Sequence, residues 1–313
     1  MGGNVFAGKT TSIRLEHINP TLDTYFAELQ QLFPLKSDIF NQQHFVSLGS
    51  VGKKPISGDI DLGISDTDIL DSDMSDASII AWNIDPVAVA KETIELQRRA
   101  RTATPTQSRM KAFMKTLTMY INAHAPTLYC DEKKVGAGTM FGLYPQFDVQ
   151  GQPLGIGVQI DWMVGDLDWL RFSYYSSAYA SDSNVKGLHR TQLMLTAFQV
   201  ANLSFNHISG VKDKYTGQVV ATKPESALVI LGDQLGFKID RSVTEDYYRL
   251  HALLQANMRP ADYDNMIDKY FKILDSTRAD IPDNLQSQWM DRQGPLELTG
   301  KFLPETSALL VSS

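Results

Sequence analysis

Apolar residues recur at Leu22, Tyr25, Phe26, Leu29 and Leu32, and this three-and-four spacing predicts a helix starting at about Pro20. A short apolar run over 45–48 reads as a strand, and residues 59–64 read as a second. Asp85-Pro86 pairs an N-cap with proline at the first helical position, and Thr104-Pro105-Thr106-Gln107 is a capping box; each predicts a helix start. After the second of these, Met110, Phe113, Met114, Leu117, Tyr120 and Ile121 fall on one helical face. The pattern then turns β-like over 127–135, passes through a Gly- and Pro-containing connection at 136–157, and reaches a strand at 158–164. There Val158, Ile160, Trp162 and Val164 alternate with Gln159, Asp161 and Met163, which places Asp161 on the less apolar face. From about 187 the spacing is helical. Leu193, Leu195, Phe198, Val200 and Leu203 mark one helix, Thr244-Glu245 opens another, and Tyr263, Met266, Ile267, Tyr270, Phe271 and Leu274 stripe a third. The tail carrying Pro295, Gly300 and Pro304 reads as irregular. The expected fold is α+β: a mixed-sheet domain over 1–172 and an α-helical domain over 173–313.

Composition narrows the class. The 313 residues are 43% hydrophobic and 21% charged, enough for a sizeable core. No apolar run has the length of a membrane span, and the N-terminal residues lack the apolar core of a secretory signal. A lone cysteine, Cys130, excludes an internal disulfide framework and a multi-cysteine zinc site. The expected compartment is the cytoplasm (a host's, if the chain is virus-encoded). The net charge of −7 leaves no global basic surface, so a nucleic-acid partner would need a local patch. Arg98, Arg99, Arg101, Arg109, Lys111 and Lys115 form the concentrated basic stretch; a solvated helix face explains them equally well. The five aspartates of residues 65–78 read as an exposed acidic connection without the spacing of a calcium loop.

The chemistry concentrates in LGSVGKKPISGDIDLGI, residues 48–64. Asp59 and Asp61, two apart on a strand, share a face and repel each other, which calls for a cation between them. They follow Gly49-Ser50 and an eight-residue turn with Lys53, Lys54, Pro55 and Gly58. Leu48-Gly49-Ser50 with Asp59-Ile60-Asp61-Leu62 resembles the signature of the DNA-polymerase-β-like nucleotidyltransferase superfamily. The resemblance covers roughly residues 20–170, with a spacer a little shorter than is usual in that family.

The resemblance implies a palm-like catalytic domain and a third carboxylate on a later strand. Asp161, between Ile160 and Trp162, is the matching residue; it lies a hundred positions beyond Asp61, so two helices must be inserted between them. It further implies two magnesium ions, with manganese able to substitute. Asp59 and Asp61 would bridge both ions and Asp161 would complete one site. Gly49 would let the main chain approach the phosphates, and Ser50 and Lys53 would contact them. In the segment joining the two domains, Lys186 and Arg190 would neutralise the triphosphate and Tyr175 would touch base or sugar.

The implied reaction moves a nucleoside monophosphate from a nucleoside triphosphate, ATP among the candidates, to an acceptor hydroxyl. An RNA (tRNA-like) or DNA 3′-end, a small molecule, a protein hydroxyl and a second nucleotide are the acceptor classes that the resemblance implies. The competing expectation is a catalytically idle binding or assembly module on the same fold, favoured if Asp161 points away from the aspartate pair or if the basic patch lies on the opposite face. The Gly-Lys-Thr at 8–10 lacks the remaining glycine spacing and preceding strand of a phosphate-binding loop.

Overall fold

The computed structural model describes residues 5–6, 8–99, 104–175, 185 and 187–293, so Arg101, Lys186 and the tail beyond 293 lie outside the described residues. In chain order the first half runs β1 (Ile13–Arg14), α1 (Leu15–Leu32), β2 (Val46–Ser47), β3 (Ile56–Ser57), β4 (Ile60–Ile64), α2 (Asp66–Ile69), α3 (Asp76–Ile80), α4 (Pro86–Arg99), α5 (Pro105–His124), β5 (Tyr129–Cys130), β6 (Thr139–Phe147) and β7 (Pro153–Val164). The second half runs α6 (Leu167–Ser173), α7 (Gly187–Val200), β8 (Leu203–Asn206), β9 (Gly210–Asp213), β10 (Val219–Ala221), α8 (Pro224–Leu235), α9 (Tyr247–Asn257), α10 (Pro260–Thr277) and α11 (Gln286–Gln293).

Helix starts follow local chemistry. The Asp85 carboxylate accepts from the N–H of Val87 (2.9 Å) ahead of α4. Thr104 and Gln107 close a full capping box on α5. Helix α1 departs from its expected start: it begins at Leu15 and holds Pro20 inside, because Ile18 extends the buried stripe backwards. The missing proline N–H removes only its own intrahelical bond. The acidic stretch also departs from an exposed connection. Ser65 and Ser75 cap α2 and α3, and Ile69, Leu70 and Met74 are buried beneath the exposed aspartates.

A mixed sheet of order β2-β4-β7-β6-β5 centres the first half. β4 and β7 run parallel, with Ile60 opposite Ile160 and Asp61 opposite Asp161; the other pairs are antiparallel. The expected connection at 136–157 is instead most of the β6–β7 hairpin. On one face of the sheet Ile60, Leu62, Ile64, Ile160 and Trp162 join the apolar sides of α1 and α5 in a single core. Trp162 donates its indole N–H to the Tyr25 hydroxyl (2.7 Å), which settles a buried donor within that core. Period two then sends Asp61 and Asp161 to the other face, where Leu48, Met163 and Leu170 make a smaller cluster.

The second half departs from an all-helical domain. It contains an antiparallel sheet of order β10-β9-β8, and Leu203 belongs to β8 rather than to the preceding helix. Helix α6, on the first-domain side of a boundary at 172, gives Trp169 and Phe172 to the second core. The two hydrophobic clusters therefore part before α6. Among the described residues no helix is long and apolar enough to cross a membrane.

Candidate metal centre

The parallel register of β4 and β7 brings a carboxylate from each strand to adjacent positions, and Asp59 joins them from the residue before β4. One carboxylate oxygen from each of Asp59, Asp61 and Asp161 lies within 4.8 Å of the others. Asp161 is 4% exposed, whereas Asp59 and Asp61 are half-buried by area. Its Oδ2 accepts from the Gln159 side-chain amide (2.8 Å), while its Oδ1 is buried without a hydrogen-bond partner. A buried, half-satisfied carboxylate is expensive unless a cation meets it. Burial, and then the charge of Asp59, push the Asp61 carboxyl up to about 8. Burial, and then Asp61, push Asp161 up to about 9, against an opposing pull from Gln159. Three convergent hard oxygen donors, one of them otherwise orphaned, fit magnesium or manganese, so the residues suit the ions that the resemblance implies.

Gly49 abuts this group. Its φ of +58° is a left-handed conformation that favours glycine, and a Cβ there would crowd Asp61 Oδ2 at 3.1 Å. The neighbouring Leu48 N–H donates to the Asp61 carbonyl (2.9 Å), which ties the Gly-Ser turn to the aspartate strand. Gly49 also forms an isolated parallel bridge with Tyr175. The Ser50 carbonyl accepts from the Lys53 N–H (3.1 Å), closing the turn. Lys53 places its ammonium 4.9 Å from the centre of the Tyr175 ring, and partial burial lowers its pKa. Gly49 thus lies against the carboxylates, and the turn that follows it brings Lys53 to Tyr175.

Arg190 is placed differently from a freely reaching phosphate ligand. It is 3% exposed, and burial holds its guanidinium down at about 9. It donates through Nε to the Thr244 carbonyl (2.5 Å) and through Nη1 to the Phe172 carbonyl (2.6 Å), with Tyr175 beyond it, 5.7 Å from the guanidinium carbon to the ring centre. Arg190 is therefore a strut joining α6, α7 and the segment before α9, and it backs Tyr175. Tyr174, beside Tyr175 in the segment expected to contact the nucleotide, is the tyrosine whose phenol senses the carboxylates. Burial, Asp61 and Asp161 all raise its phenol pKa, which puts it beside the centre. Gln159 was missed, although it lies two positions before Asp161 on the same strand, a signal that period two makes available.

Among the described residues of the basic stretch, Arg98, Arg99, Arg109, Lys111 and Lys115, none is at this centre. Phe113, Met114, Leu117 and Ile121 of α5 pack on the sheet face opposite the carboxylates, and α4 packs on α5. Arg98 and Arg99 are exposed there, Arg109 bonds the Met74 carbonyl (2.7 Å) and Lys115 pairs with Glu92 (2.7 Å). His189 hydrogen-bonds the Tyr270 hydroxyl (3.0 Å) inside the second core. Comparison with protein-family models finds no match, and comparison with curated proteins finds no relative of significant similarity.

Proposed function

We propose that the chain is a divalent-metal-dependent nucleotidyltransferase that moves a nucleoside monophosphate from a nucleoside triphosphate to an acceptor hydroxyl. The observation that carries this reading is the convergence of Asp59, Asp61 and Asp161, with one buried oxygen left unpartnered, beside a glycine turn that a side chain would obstruct. Asp59, Asp61 and Asp161 would hold magnesium or manganese. When bound, that metal would supply positive charge against the triphosphate and lower the pKa of the acceptor hydroxyl. Gly49 keeps the main chain close to the carboxylates, and the Ser50 hydroxyl offers a donor at the turn. Lys53, over the Tyr175 ring, offers a cation for phosphate oxygens. Arg190 acts behind Tyr175.

Because the described residues of the basic stretch lie behind the sheet, an acceptor meeting the carboxylates does not use them for docking at the reaction centre. That placement is the one observation on the side of an idle assembly module. The buried, unpartnered oxygen of Asp161 weighs more, because a module with no cation would carry its desolvation for nothing. The test is pyrophosphate release from α-labelled nucleoside triphosphates with magnesium or manganese, in the presence of RNA, DNA, small-hydroxyl and protein acceptors. Release and label transfer that vanish in Asp161→Asn support the reading. A folded wild type inactive with every acceptor and unable to bind nucleotide contradicts it.

A further inference from the structure

Asp161 lies on β7 between Ile160 and Trp162, both fully buried and without a polar group to offer it. Among the described residues, the donor to its Oδ2 is Gln159, two positions earlier and 2% exposed. Gln159 is itself held from the other side: its Oε1 accepts from the main-chain N–H of Val5 (3.0 Å). The two partners determine which way the amide points. A main-chain N–H can only donate, so it must meet the amide oxygen, and that leaves the NH2 to face Asp161. A flipped amide would set its NH2 against the Val5 N–H and lose that hydrogen bond.

Val5 has its own supports. Phe6 is buried and packs edge-on against Tyr129 with ring centres 6.1 Å apart. Thr11 donates its N–H to the Gly157 carbonyl (2.9 Å), and the Gln146 side-chain amide donates to the Thr11 carbonyl (3.2 Å). The strand preceding Asp161 and the N-terminal arm are therefore joined at two places, Gly157 and Gln159.

We propose that Gln159 is a positioning residue of the metal centre. Tethered by the Val5 main chain, it holds the Asp161 carboxylate with Oδ2 occupied and Oδ1 left for a divalent cation. The proposal rests on the metal-centre reading given above. Without the amide, Asp161 Oδ2 loses its fixed partner and the carboxylate can turn about its side-chain bonds. Partners of metal ligands of this kind typically change metal affinity by about 10- to 100-fold.

The experiment is a manganese titration of the full chain, followed by electron paramagnetic resonance of the free ion, with thermal denaturation alongside. Gln159→Leu removes the donor at nearly constant volume. Val5→Pro removes the N–H that tethers it, with φ fixed at that one residue. The expected result is a loss of manganese affinity of about 10- to 100-fold in Gln159→Leu and a smaller loss in Val5→Pro. Because the two act through one chain of contacts, the double variant should be no weaker than Gln159→Leu alone. Wild-type affinity in both single variants would overturn the positioning role and leave the metal centre standing. A wild type that binds no manganese would overturn both. If Gln159→Leu fails to fold, Val5→Pro decides: reduced affinity supports the tether, and unchanged affinity overturns it.

Discussion

Asp161 is the residue at which stability and chemistry oppose each other. It is buried in a strand core, faces another carboxylate across the parallel register, and keeps one oxygen without a donor. Asn at this position retains an acceptor for Gln159 and removes the charge. Asp161→Asn is therefore expected to raise the melting temperature of the metal-free protein by roughly 2–4 °C, the shift that about 1 kcal/mol produces in a domain of this size. It should also abolish metal-dependent nucleotide binding. Thermal denaturation and calorimetry read the two effects on one preparation, and a destabilised variant would argue against repulsion at the site. Gly49→Ala has the opposite profile: a strained φ together with a Cβ 3.1 Å from Asp61 Oδ2 should lower stability by about 1 kcal/mol and weaken metal binding. The aspartate pair was legible in the sequence because period two and mutual repulsion need no tertiary information. The fate of Arg190 was not, since a guanidinium reads the same whether it meets a phosphate or two main-chain carbonyls.

At the scale of elements, the centre depends on β4 and β7 lying parallel and adjacent although α4 and α5 intervene in sequence. Those helices fold behind the sheet, which lets Asp161 come so late in the chain and carries the described basic residues away from the carboxylates. Charge reversal at Arg98 and Lys111 is accordingly expected to leave magnesium-nucleotide affinity unchanged; a large loss in a calorimetric titration would contradict this placement. Glu28 of α1 fastens the far edge of the sheet, accepting from the N–H groups of Thr127 (3.0 Å) and Leu128 (3.1 Å) and from the Tyr144 hydroxyl (3.1 Å). Glu28→Ala leaves those donors short of an acceptor and should cost about 2–3 kcal/mol, readable as a lowered denaturant midpoint. The capped helices α4 and α5 could be read from local chemistry alone. The β6–β7 hairpin could not, because Gly142, Pro145, Gly151 and Gly155 mimic a loop. Pro145 is tolerated in β6 because β5 pairs only as far as Leu143, leaving an open edge there.

Across the whole molecule, two sets of buried groups give opposite pH dependences. Burial lowers the pKa of His207 and His251, so the unfolded chain takes up those protons more readily. Their contribution to stability is complete above about 6.5 and is lost as pH falls below it. Asp61 and Asp161 are raised instead, to about 8 and about 9; their contribution is present below the ordinary carboxylate range and is lost as pH rises through those values. The metal-free melting temperature should therefore decline between pH 7 and 9, and magnesium should suppress that decline by occupying the carboxylates. An alkaline decline that magnesium leaves untouched would place the repulsion elsewhere. At this scale sequence patterning was least informative. The β8–β10 sheet is built from strands of three or four residues, too short to show a period, and the partition of Trp169 and Phe172 into the second core is a matter of three-dimensional packing.

The most direct test of the central claim is a calorimetric titration with each of the four nucleoside triphosphates in the presence of magnesium, on the wild type and on the Asp59→Ala, Asp61→Ala double variant. The account predicts saturable binding of at least one nucleotide that requires the metal and disappears in the folded double variant. Binding that survives loss of both aspartates, or a folded wild type that binds no nucleotide, would contradict it.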